Sequence, residues 1–192
     1  MDDCTVDSCR KCDGLVASRS RIVNGVGPTD ADLVFVGEAP GEQEDSDGEP
    51  FVGRSGSILD EALRDAGAER AAVRITNAVR CRPPDNRDPR AGELAACRDH
   101  LDAELAAIDP RVTVALGKVP AEHLLGRSVA VTSEAGSVET VALGGQPRDV
   151  MISVHPAATL YDRSQRDTFD ATIANAVEIA DIGSDQASIA DF

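Results

Sequence analysis

Short apolar runs alternate with amphipathic stretches along this chain. Leu33–Val36, "LVFV", is a continuous apolar run bounded by Asp32 and Gly37, the pattern of a strand buried on both faces. A loop from Gly37 to Gly56 follows, punctuated by glycines and prolines. From Ser57, "SILDEALRDAG" puts Ile58, Leu59, Ala62, Leu63 and Ala66 on one helical face, with Gly67 as the stop. "VRITNAV" from Val73 predicts a second strand, and the prolines of "RCRPPDNRDP" predict a loop after it. "RAGELAACRDHLDAELAAID" from Arg90 predicts a helix whose stripe is Leu94, Cys97, Leu101, Leu105 and Ile108, so Cys97 should face inward. "VTVALG" from Val112 is a third strand, followed by a short helix around Pro120–Leu125. Residues 126–149 are rich in Gly and Ser and hold one weak strand, "VETVAL". "VMISV" from Val150 is a last core strand, ending at His155-Pro156, and a helix from Arg163 to Ile179 closes the pattern. Residues 1–20 read as an irregular, Cys-bearing head. Residues 1–182 are expected to form one domain, and 183–192 an acidic, flexible tail.

Buried strands that alternate with helices predict a parallel sheet covered on both faces. Such sheets bind ligands beyond the carboxyl ends of their strands. Glu38, Asn77, Gly117 and His155 all fall at or just beyond predicted strand ends, and three of the four are polar.

Composition narrows this picture. The 192 residues fit one domain, and a hydrophobic content of 42% supports a real core. No apolar run reaches the length of a membrane span, and "MDDCTVDSCRKC" does not resemble a signal peptide. A cytoplasmic monomer is the expectation, with cysteines used as ligands rather than disulfides. The net charge is −15, and among the 19 basic residues only Lys11 and Lys118 are lysines. That bias resembles halophilic proteins and reports on the solvent more than on a partner. In strong salt nonspecific phosphate contacts are weak. A nucleic-acid binder of this composition must therefore rely on stacking, pockets and local arginines.

Five cysteines fit a four-ligand site plus one spare. Cys9 and Cys12 form a CxxC pair; Cys81 opens the proline-rich loop and Cys97 lies on the next helix, so these two can meet. Four thiolates suit a [4Fe–4S] cluster or a structural Zn²⁺. The wide second spacing favours the cluster. A zinc set of Cys9, Cys12, Cys97 and His100 is the alternative, with Cys4 as the spare.

Several segments, in order, carry a family resemblance: "CRKC", "VGEAPGEQED", "GEPFVGRSG", "ITNAVRCRPPDNRDP", "VALG" and "VHPAA". The chain resembles the family-4 uracil-DNA glycosylases, the iron–sulfur branch of their superfamily. The resemblance implies an α/β/α sandwich around a four-stranded parallel sheet. It implies a [4Fe–4S] cluster on Cys9, Cys12, Cys81 and Cys97, tying the N-terminal segment to the core. It also implies hydrolysis of the N-glycosidic bond of deoxyuridine in DNA, leaving an abasic site.

That chemistry gives the residues expected roles. A base flipped from the duplex needs an aromatic platform, for which Phe51 is placed. Asn77 offers an acceptor and a donor to the pairing edge of uracil, a pattern that cytosine reverses. His155 is the candidate donor to uracil O2 as charge builds there. Gly37 and Ala39 let the backbone approach the base and sugar. Ala39 stands where the best-known branch of the superfamily has a water-positioning aspartate, so Glu38, Glu44 and Asn86 remain the candidates for that task. Arg54 and Ser55 are expected at a flanking phosphate, with Arg80, Arg82, Arg87, Arg90, Arg163 and Arg166 as further DNA contacts. Leu160 or Tyr161 is the expected wedge. A noncatalytic DNA-binding domain of the same fold, or a glycosylase for another deaminated base, is the competing reading. A relative that bonds covalently to DNA would carry a basic, His-bearing insertion after "CRPP", which this chain lacks.

Overall fold

A computed structural model describes residues 4–183; the expected tail, from residue 184 onward, lies outside the described residues. The element order is α1 (Asp13–Ser18), β1 (Leu33–Gly37), α2 (Glu42–Asp47), α3 (Arg54–Asp65), β2 (Arg74–Asn77), α4 (Ala91–Ile108), β3 (Val112–Leu116), α5 (Lys118–Leu125), α6 (Val131–Glu134), β4 (Val138–Leu143), β5 (Gln146–Ser153) and α7 (Arg163–Ala180).

The sheet has five strands in the order β2-β1-β3-β5-β4. The first four are parallel and β4 runs antiparallel to β5. This corrects the expected four-stranded parallel sheet. β5 also begins four residues before the predicted Val150, because it pairs with β4 through a two-residue turn. Gly144 and Gly145 have φ of 59° and 82°, the positive pair that a tight hairpin turn demands. β4 alternates between exposed and half-buried positions as an edge strand does, which is why its sequence signal is weak.

Each parallel strand sends alternate side chains to opposite faces. Leu33 and Phe35 join Val112, Val114, Leu116 and Met151 under α3 and α7. Val34 and Val36 join Ala115, Val150 and Ile152 under α4 and α5. The result is a three-layer arrangement with helices on both sides of the sheet. On α4, Cys97, Leu101, Leu105 and Ile108 are buried, as the stripe predicts. A third, small cluster of Leu15, Val79, Cys81 and Cys97 seats α1 against the body.

One buried polar group has no counterpart in the pattern reading. Glu104, fully buried on α4, takes Arg74 Nε at 2.9 Å and Arg80 Nη2 at 2.6 Å. Arg74 also donates to Gly27 O at 2.7 Å, and Arg80 to Asn24 Oδ1 at 3.1 Å. Gly25 admits this triad, since a Cβ there would lie 2.2 Å from Glu104 Oε1. Arg80, expected at DNA, is instead part of the core.

Strand order reverses at β1: the chain goes to β2 on one side and to β3 on the other. The crevice at the carboxyl end of β1 is therefore where an α/β sheet opens to a ligand.

Candidate active site

A cleft of about 380 Å³ opens at that crevice, within the usual size of small-molecule sites, about 300–1,000 Å³. Its walls include Glu38, Ala39, Gly41, Gln43, Glu44, Phe51, Arg54, Ser55, Asn77 and His155. Four different segments meet here: the end of β1 with α2, the turn before α3, the end of β2, and the residues after β5.

Asn77 ends β2 in register with Gly37 of β1. Its side chain is buried, and its Nδ2 has no hydrogen-bond partner among the described residues. A buried amide without a partner costs on the order of 1–3 kcal/mol, so such a group points to a ligand that completes it. Gly37 makes the approach possible. A Cβ there would lie 2.3 Å from Asn77 Oδ1 and 2.6 Å from the Phe51 ring.

Phe51 is buried with φ at 55°, a left-handed backbone that costs a non-glycine residue about 1–3 kcal/mol. Its ring stands 6.1 Å, centroid to centroid, from that of His155, tilted by 34°. Gly56, near the start of α3, lets the Phe51 carbonyl in, because a Cβ there would lie 1.7 Å from Phe51 O. Arg70 adds a brace, donating to Pro50 O at 2.6 Å.

His155 follows β5. Its Nδ1 accepts the Ala157 N–H at 3.1 Å, so the ring proton of the neutral form sits on Nε2. Burial lowers the His155 pKa, which favours that neutral form.

The three candidates for handling water differ sharply. Glu38 lines the cleft, and its carboxyl is raised to about 7, first by burial and then by the facing carboxylate of Asp88. Glu44 also lines the cleft, but both its oxygens are engaged: Oε2 by Gly41 N–H at 3.0 Å and Oε1 by Phe51 N–H at 2.6 Å. Asn86 is exposed, does not line the cleft, and gives its Oδ1 to Arg82 Nε at 2.8 Å. Arg163, at the first position of α7, is exposed and also outside the cleft wall.

Most of the nominated arginines have internal partners. Arg82 reaches Glu42 at 3.7 Å, Arg87 forks onto Glu93 at 2.7 and 2.8 Å, and Arg166 meets Asp170 and Glu61. Arg54 and Arg163 show no acidic partner among the described residues, and Arg90, whose backbone N–H donates to Glu93 Oε2 at 2.7 Å, makes no side-chain ion pair there. Leu160 and Tyr161, just beyond His155, are 40% and 89% exposed. Asp88, Gln43 and Gly56 escaped the sequence reading. Gly56 reads as the end of a loop in the sequence, and the structure instead puts it in the first turn of α3, which begins at Arg54 and not at the predicted Ser57.

A separate, small cavity of about 20 Å³ is lined by Cys9, Cys12, Cys81 and Cys97 with Leu15, Val16, Lys11, Arg19 and Ala96. The four thiols nominated for a metal centre therefore face one place. His100, of the zinc alternative, does not line it. Among the described residues, no three His, Cys, Asp and Glu side chains stand ready as a metal site. Arg19 donates to Cys81 Sγ at 2.9 Å and to Cys9 O at 2.7 Å, as suits a sulfur that carries negative charge. The donor set fits an iron–sulfur group. Cys4 is buried elsewhere, with Val34 and Val36.

No helix among the described residues is long and apolar enough to cross a membrane. The sequence pattern of the uracil DNA glycosylase superfamily matches residues 24–178. A type-4 uracil-DNA glycosylase of Archaeoglobus fulgidus is 40% identical over 189 residues, covering 96% of this chain and 94% of that protein. The type-4 enzyme of Thermotoga maritima is 43% identical over 160 residues, covering 83% and 81%. A type-5 enzyme of Thermus thermophilus is 34% identical over 152 residues, covering 63% and 69%. The match spans both the cleft and the sheet that carries it, and the chain belongs to the uracil DNA glycosylase superfamily.

Proposed function

We propose that this protein is a DNA-repair glycosylase that takes uracil out of DNA and hydrolyses its N-glycosidic bond, leaving an abasic site. The observation that carries this is the buried Asn77 amide, whose Nδ2 has no partner among the described residues, in a cleft that also holds Phe51 and His155. An extruded uracil stacks on Phe51. Asn77 Oδ1 accepts its N3–H and Nδ2 donates to its O4. Cytosine presents the reverse pattern and leaves both groups unmatched, which is how a hydrogen-bonding pocket discriminates most strongly.

As the bond between C1′ and uracil N1 breaks, the electron pair moves onto the base and positive charge grows on the sugar. His155 Nε2–H donates to uracil O2, a bond that strengthens as the charge develops. Glu38, in its ionised form, faces the cationic sugar, orients the water whose oxygen bonds to C1′ and takes up the proton that this water loses, which balances the negative charge on the departing uracil. Glu38 holds this role because Glu44 is engaged by two backbone amides and Asn86 by Arg82. Ser55 and Arg54, at the start of α3, meet a flanking phosphate. Arg90 and Arg163 supply outer contacts to the DNA backbone, and Tyr161 or Leu160 fills the gap left in the stack. The protein acts as a monomer.

Cys9, Cys12, Cys81 and Cys97 would hold a [4Fe–4S] cluster. When bound, that group ties the N-terminal segment to α4 and the proline-rich loop and takes no part in cleavage. Iron and acid-labile sulfide content test this part directly.

The function is tested on labelled oligonucleotides carrying one uracil, thymine, cytosine or hypoxanthine at the same place. Alkali-sensitive breaks at uracil and not at thymine or cytosine are expected. Breaks at hypoxanthine alone would point to another deaminated base, and binding without any break to a noncatalytic domain.

A further inference from the structure

The position of Phe51 poses a physical problem. A bulky aromatic residue is held at φ 55°, where L side chains are strained, and its ring forms one wall of the cleft. Something must over-determine that backbone. Three groups do so. Gly56 leaves room for the Phe51 carbonyl and Gly37 for the edge of its ring. The remaining backbone group, the Phe51 N–H, is taken by Glu44 Oε1 at 2.6 Å.

The other oxygen of the same carboxylate accepts Gly41 N–H at 3.0 Å, at the start of α2. One side chain therefore joins the two backbone segments that face each other across the cleft: the loop after β1 and the turn that presents the ring. Burial pushes the Glu44 carboxyl up, while the two amides and then Arg70 pull it down. Bonds from backbone amides to a carboxylate are about twice as strong as neutral ones. Each oxygen keeps a second lone pair, but its direction is set by the amide that the oxygen already serves.

We infer that Glu44 is a positioning residue, a clasp that fixes the Phe51 platform against the loop after β1 and so sets the slot into which the flipped base slides. It acts on the reaction through Phe51, not by touching water. This rests on the glycosylase reading for its kinetic consequence, while the clasp itself is independent of it.

The test pairs Glu44→Gln with Phe51→Ala and their double variant. Glutamine keeps the size but gives one acceptor and one donor, so one amide loses its partner. Each single change is expected to lower kcat/KM for a uracil-bearing oligonucleotide by roughly 10- to 100-fold, the range for a lost charged hydrogen bond or a stacking contact. The double variant is expected to be no worse than the poorer single one, because the carboxylate has nothing to position once the ring is gone. The inhibition constant of free uracil should rise with Glu44→Gln. General destabilisation would instead cost activity in both backgrounds.

Amide hydrogen exchange at Gly41 and Phe51 reads the clasp without reference to excision, and the amide left without an acceptor in Glu44→Gln should exchange faster. Unchanged exchange overturns the clasp. Faster exchange with multiplying kinetic losses and an unmoved uracil inhibition constant overturns the positioning role in favour of a direct one. If the wild-type protein excises no uracil, the glycosylase reading falls and the exchange result alone decides the clasp.

Discussion

His155 accepts the Ala157 amide through Nδ1 at 3.1 Å, and that single bond decides which way its proton points. A protonated ring would have to break it, and burial already disfavours the charge. In the proposed mechanism His155 is a neutral donor, so its own titration should leave no limb in the activity profile above pH 6.5. His155→Ala should lower single-turnover excision by about 100- to 1,000-fold, the scale for one lost donor to a developing anion. The far-ultraviolet spectrum should stay unchanged, because the side chain's one described hydrogen bond joins residues only two apart.

Glu38 gives a different pH signature. Its carboxyl is raised to about 7 by burial and by Asp88, so acidification through pH 7 neutralises it. Activity should fall as pH drops through that value. Asp88→Asn removes the facing charge and should move the limb to lower pH. The same raised pKa means the folded state binds the proton more tightly than the unfolded chain, so this group's contribution to stability declines as pH rises from 4.5 through 7. Glu38→Gln should therefore raise the melting midpoint at pH 8 while suppressing excision, the signature of a site that trades stability for function.

For Asn77 the expectation is an asymmetry. Its Nδ2 has no partner among the described residues, so Asn77→Ala removes an unsatisfied group and should leave the melting midpoint unchanged or slightly raised. Excision and inhibition by free uracil should both fall sharply. A large loss of stability together with a normal rate would mean the amide supports the fold and not a ligand.

Much of this was legible in sequence because it rests on local pattern. The apolar run at Leu33 and the stripe ending at Ile108 gave β1 and α4, and polar residues at strand ends gave Glu38, Asn77 and His155. The rest depends on chain segments far apart. The β4–β5 hairpin was hidden because an edge strand with an exposed face carries half the apolar signal of a central one. Arg80 reads as a surface cation in the sequence, and in the structure it is buried against Glu104, 24 residues on. Glu44 looked like a free carboxylate for the same reason: its partners are backbone amides, which no side-chain pattern records.

The Arg74–Glu104–Arg80 triad yields a stability prediction apart from the site. Glu104→Gln leaves two buried guanidinium groups without their counter-charge, and should cost about 3–5 kcal/mol. Chemical denaturation at neutral pH would show it as a lower midpoint with an unchanged slope, and an unmoved midpoint would place the triad's weight elsewhere.

The most direct measurement is single-turnover release of free uracil from a uracil-bearing oligonucleotide, quantified alongside the abasic sites formed, for wild type and for Asn77→Ala. One uracil released per abasic site by the wild type, with a rate lower by orders of magnitude in the variant, is the predicted result. No release from folded wild-type protein, or equal release from both, would contradict the account of the cleft.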